Sequence, residues 1–141
     1  SGGRSMIDPE LVPSVEPHEK LARYIVFRNH LRLEKGTIKP DAFIPHPYSD
    51  LSVTRHLQAT EIELWAVGKT VAEARGKSLQ GRGDILASDC HLQKLETDSD
   101  PVEGNPNHVV ITEWPSEKRQ QKTIAQQLAA VAKLSFPPRR L

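Results

Sequence analysis

A single cysteine, Cys90, leaves no partner for an intramolecular disulfide and too few thiols for a multi-cysteine zinc site. That excludes a secreted disulfide scaffold and makes a reducing, cytoplasmic compartment the default. Aromatic residues are only 5% of the chain, which argues against a broad platform for stacking nucleic-acid bases. No apolar run approaches the roughly 18 residues of a membrane span, and the N-terminus lacks the basic, apolar and small-residue regions of a signal peptide, so no membrane partner is expected. Neither charge sign is in excess: 19 Lys and Arg face 18 Asp and Glu, a formal net charge of +1. The whole-chain field is too weak to argue for non-specific nucleic-acid binding, and any electrostatic partner must be met by a local patch.

Recognisable chemical motifs are also scarce. The six histidines show neither His-x-His nor His-x-x-x-His spacing, and Cys90 and His91 point to opposite faces if they lie in a strand. Asp98 and Asp100 resemble the start of a calcium loop, but Glu103 and Gly104 are misplaced for one. Gly81-Arg82-Gly83-Asp84 lacks the rest of a nucleotide fingerprint and reads as a turn, and no Gly-x-Ser-x-Gly or Cys/His protease signature occurs. No metal and no cofactor are expected.

What is present suits one domain: 141 residues, 37% hydrophobic and 26% charged, enough to fold and bury a core. Ser1–Ser5 ahead of Met6 reads as a vector remnant, residues 6–17 as an extended or disordered lead, residues 18–136 as the domain and 137–141 as a tail. Prolines punctuate the elements. Leu21–Arg28 is rich in β-branched and aromatic residues and reads as a strand, Leu31 and Leu33 as a weaker one, and Leu51–Leu57 as a strand of clear period two. Thr60 with Glu63 forms a capping box that predicts a helix to Arg75, although Gly68 could break it in two. Residues 77–84 read as a glycine-punctuated loop, Ile85–Glu96 as mixed strand, Glu96–Asn107 as an acidic loop and His108–Trp114 as a strand. A last helix is predicted over 116–134 with Ser116 as N-cap. The expected core is Ile25, Phe27, Val53, Trp65, Ile111, Leu128 and Val131. The whole predicts an α+β domain: one mostly antiparallel sheet with about two helices on one face.

Several polar residues stand out. Arg55 shares strand parity with Leu51, Val53 and Leu57 and should lean toward the core. It either snorkels from the strand end to water, the reading the sequence favours, forks onto an anion in a pocket, or forms a structural ion pair. His108 opens a partly apolar strand and is either a satisfied core or edge histidine or a general acid or base; His30, beside Asn29, divides the same way with a turn histidine as the default. Lys39–Tyr48 is stiffened by Pro40, Pro45 and Pro47, so Lys39, Asp41, His46 and Tyr48 are held with little entropy to lose, as in a connecting strap or a preorganised loop. Lys118, Arg119 and Lys122 crowd the start of the last helix, where the dipole already supplies positive potential. They form a solvated face unless an anion sits there.

The pattern His30, Lys39-Pro40-x-Ala42-Phe43-x-Pro45, Leu51-Ser52-Val53-x-Arg55, Trp65-x-x-Gly68 and His108-x-x-Ile111-x-x-x-Pro115 resembles a group of short bacterial proteins of uncharacterised function, over about residues 21–134. The resemblance implies a bacterial single-domain protein and carries no reaction or ligand. The leading expectation is a small cytoplasmic binding or accessory module for an anionic ligand or protein partner, using Lys39, Arg55 and the Lys118, Arg119, Lys122 cluster. Nucleic acid is a less supported ligand. One alternative is a metal-independent nuclease or phosphodiesterase in which His30 and His108 exchange protons beside Lys39 and Arg55; another is half of a toxin and inhibitor pair.

Overall fold

A computed structural model describes residues 12–45 and 47–139. The vector-remnant reading of residues 1–5, the first half of the extended lead (6–11), His46 and the last two residues of the tail lie outside the described residues. Eight strands and three helices follow in the order β1 (Lys20–Ile25), β2 (Leu31–Arg32), β3 (Thr37–Ile38), β4 (Leu51–Arg55), α1 (Glu61–Ala74), β5 (Gly81–Leu86), α2 (Ala87–Leu92), β6 (Glu96–Ser99), β7 (His108–Thr112), α3 (Lys118–Val131) and β8 (Lys133–Ser135). Six of the strands make one sheet in the order β6-β7-β4-β1-β5-β8, with every pairing antiparallel. β2 and β3 form a separate small hairpin. The domain is α+β.

The central strand β1 is largely buried on both faces because both are covered. Leu21 and Ile25 join Phe43, Val53, Ile85, Cys90, Val109, Ile111, Ala125 and Leu128 in the main core, to which α2 and α3 contribute. On the opposite parity Tyr24 faces α1, its hydroxyl donating to the Leu64 carbonyl at 2.6 Å. Trp65, expected in the main core, is buried on this second side instead. Val131 is 51% exposed and Phe27 half-buried, so both leave the expected core.

α1 starts as its capping box predicts: Thr60 Oγ1 accepts from the Glu63 N–H, and Glu63 accepts from the Thr60 N–H. Gly68 does not interrupt it. An added Cβ there would sit 2.6 Å from the Tyr24 ring, so the glycine permits the helix to lie close on the sheet.

The Gly81–Asp84 stretch is no turn but the first four residues of β5, paired with β1 on one side and β8 on the other. Its glycines serve close approach: a Cβ on Gly83 would lie 2.6 Å from Ile38 Cδ1 and 3.3 Å from Phe43 Cζ. Residues 87–92 are a short helix rather than strand, and residues 96–99 of the acidic loop pair with β7 as β6. α3 begins at Lys118 with Glu117 as N-cap, not Ser116, and ends at Val131, so Lys133–Ser135 can add a strand to the β5 edge.

Candidate functional site

Arg55 is fully buried. Its Nε and Nη2 donate to the two Glu19 carboxylate oxygens at 2.7 and 2.6 Å, Nη1 donates to the Pro13 carbonyl at 2.7 Å, and Nη2 also reaches the Ser14 carbonyl at 3.3 Å. The side chain neither snorkels nor lines a ligand pocket; it is the structural ion pair, clamping the segment before β1 onto β4. Burial pushes the Glu19 carboxyl up, but the Arg55 fork, the Glu16 N–H at 2.7 Å and the Arg55 charge hold it below the ordinary carboxylate value.

His30 and His108 do come together. Both line a groove of about 710 Å3 that opens where β1 and β4 part. The β1–β4 register runs only through Leu21 opposite Arg55 and Ala22 opposite Thr54. Beyond it Arg23 fills the gap, Nε donating to the Ala42 carbonyl at 2.8 Å and Nη1 to the Ser52 carbonyl at 3.0 Å. One wall is the Pro40–Phe43 turn and the loop through Tyr48 and Asp50. The other is Val71 and Arg75 at the end of α1, with His108 and Val110 of β7 beyond Ser52 of β4.

The groove carries two arginines, Arg23 and Arg75, alongside Asp41, Asp50 and Asp100. Among the described residues neither Arg23 nor Arg75 forms an ion pair; Arg75 lies over the Phe27 ring at 5.3 Å. Burial and then the Arg75 charge pull the Arg23 guanidinium down to about 10. His30 sits against Phe27, with ring centroids 5.0 Å apart. Burial lowers its pKa; Asp41 opposes, and Arg23, Lys39 and Arg75 add to the lowering, which favours the neutral imidazole. His108 Nδ1 lies 3.0 Å from the Asp100 carbonyl oxygen and 3.2 Å from its carboxylate. Because a carbonyl can only accept, Nδ1 carries the hydrogen and Nε2 is left for other partners.

Lys39 is next door rather than inside. It lines a neighbouring cavity of about 590 Å3 with Arg28, Arg32 and Lys35, and its N–H donates to the His30 carbonyl at 2.8 Å. Lys118, Arg119 and Lys122 are exposed on α3 and none lines the groove. A further polar cluster lies between α1 and the sheet. Arg82 donates to Glu61 at 3.0 Å and Asp84 at 3.2 Å, stacks 4.8 Å over Trp65, and Asp84 also meets His56 at 2.9 Å. These contacts fasten α1 to β5.

Sequence reasoning missed Arg23 and Arg75. The parity conflict that singled out Arg55 applies equally to Arg23, which alternates with Leu21 and Ile25, so that signal was present. Arg75 carried none: a cation at a helix C-terminus is ordinary. Among the described residues no three His, Cys, Asp or Glu side chains converge as a metal centre, and no helix is long and apolar enough to cross a membrane. No family model, curated protein or solved structure matches the chain.

Proposed function

We propose that the protein is a small cytoplasmic binding module, of bacterial origin, whose ligand is a phosphorylated organic anion seated in the groove between β1 and β4. The observation that carries this reading is the pair of guanidiniums, Arg23 and Arg75, which line one cavity and form no ion pair among the described residues although Asp41, Asp50 and Asp100 share the lining. Two like charges held together stabilise an anion between them; Arg23 has Nη2 left to donate once Nε and Nη1 are on carbonyls, and the Arg75 fork matches phosphate geometry. The groove volume of about 710 Å3 lies within the 300–1,000 Å3 typical of sites for small organic ligands and far exceeds a bare oxyanion. Apolar side chains, Val26, Val71, Val110 and Ile44, share the lining and suit an organic moiety.

Calorimetric titration with inorganic pyrophosphate tests the reading. Binding should weaken as salt rises, fall at least about tenfold in Arg75→Gln, and persist when Lys118 and Arg119 are both changed to Glu. Equal affinity in wild type and Arg75→Gln overturns it.

A second reading is metal-independent cleavage of a phosphodiester, favoured by the presence of both histidines in the groove. His30 accepts the proton of the attacking hydroxyl, His108 delivers one from Nε2 to the leaving oxygen, and the arginines balance the charge on phosphorus. Turnover of a ribonucleotide phosphodiester that is lost in His108→Gln while pyrophosphate binding survives establishes it. Absence of turnover in wild type leaves the binding module alone.

A further inference from the structure

The groove does not end at His30. The short turn Arg28–His30 is shared: its last residue lines the groove, and Arg28 and Asn29 line the adjoining cavity over the β2–β3 hairpin. That hairpin concentrates charge in a chain that is otherwise balanced. Arg28, Arg32, Lys35 and Lys39 stand against the lone Glu34. Among the described residues none of these four cations is paired with a carboxylate. Cationic residues therefore continue from Arg75 and Arg23, which share the groove with three carboxylates, past His30 and onto the more strongly basic hairpin side, farther than one phosphate needs.

Two further observations narrow the ligand. Tyr48 lines the groove yet is 73% exposed, and its backbone is steadied by an N–H bond to the Pro45 carbonyl at 2.9 Å. No aromatic partner covers its ring among the described residues. Asp41, Asp50 and Asp100 also line the groove, so the ligand must offer hydrogen-bond donors as well as negative charge. Exocyclic amines and ribose hydroxyls do so; a flat anionic membrane surface does not enter a concave groove and meets repulsion from these carboxylates.

We infer that the ligand is a single-stranded nucleic acid, with one phosphate between Arg23 and Arg75, its base on the Tyr48 ring, and the following phosphates tracked by Arg28 of the turn and Arg32 and Lys35 of the hairpin. This rests on the anion-binding reading of the groove. One exposed ring replaces a broad platform, which is why 5% aromatic content is enough.

Fluorescence anisotropy with a labelled eight-nucleotide single-stranded RNA, alongside pyrophosphate calorimetry, tests it. The octanucleotide should bind with a steep salt dependence. In the double variant Arg32→Gln, Lys35→Gln the slope of log K against log salt should shrink by about 1.4, for two lost phosphate contacts, while pyrophosphate affinity stays unchanged. Tyr48→Ala should weaken the octanucleotide at least about fivefold and leave pyrophosphate alone. Pyrophosphate binding with no octanucleotide binding, or with a slope and affinity indifferent to these variants, overturns the inference and leaves the anion groove standing. Binding to phosphatidylserine vesicles in place of RNA overturns it in favour of a membrane. Failure of pyrophosphate to bind overturns both.

Discussion

Arg55 and Arg23 belong to the same face of neighbouring strands, since Arg55 is in register with Leu21, yet they meet opposite environments. Arg55 finds Glu19 and two carbonyls and is satisfied; Arg23 finds two carbonyls and a second arginine nearby and keeps charge to offer. Replacing Arg55 by Met strands the buried Glu19 carboxylate and should cost about 3–5 kcal/mol in urea unfolding, part of it recovered by adding Glu19→Leu. Pyrophosphate affinity per folded molecule should not change. The Glu19 carboxyl titrates below its ordinary 4.5, so its contribution is complete above that value and is lost as pH falls through the lower, folded value. Wild-type stability should therefore drop below about pH 4.5, and Glu19→Gln should flatten that part of the profile. His30 offers a local check on the groove charges. Its NMR titration midpoint should lie below 6.5, rise in Arg75→Gln and fall further in Asp41→Asn; an unmoved midpoint places those charges elsewhere.

At the level of elements, β5 is the strand on which both covering layers press. Its Gly83 lies under Ile38 and Phe43, so Gly83→Ala should destabilise by about 1–3 kcal/mol through overpacking. Because the closest atom is Ile38 Cδ1, adding Ile38→Val should restore part of the loss in thermal melts; a neutral Gly83→Ala contradicts the close approach. The hairpin β2–β3 stands outside the main sheet and is short, which leaves its basic side chains at the surface rather than spent on pairing. α1 connects cap to groove: its N-terminus is held by Thr60 and Glu63, and its C-terminal turn delivers Arg75.

Across the whole molecule, one sheet is shared by two buried layers, with Trp65 on the α1 side and Trp114 against the main core. The faces can separate only by exposing β1 and β4, so they should unfold together. Single-tryptophan variants, Trp65→Phe and Trp114→Phe, should each show fluorescence midpoints in urea that coincide with far-UV circular dichroism. Midpoints that diverge mean that α1 leaves the sheet separately. The same sandwiching explains the site: the sheet's middle strands part at one end, and both layers contribute a wall to the gap.

Local pattern determined a good deal by itself. The capping box set the start of α1, alternation set β4, and the apolar stripe marked α3, because caps and periodicity are satisfied within a few residues of chain. The parity of Arg55 announced a buried charge, but its partner lies 36 residues away in Glu19, and no local rule names a distant partner. Gly81 and Gly83 read as a turn because glycine permits one; that they lie in an interior strand follows from distant parts of the chain packing against them, Ser135 and Leu134 at Gly81 and Ile38 and Phe43 at Gly83. His30 and His108 were visible as residues, but only the fold brings them into one groove with Arg23 and Arg75, since a cavity is a property of the space between elements and has no address in sequence.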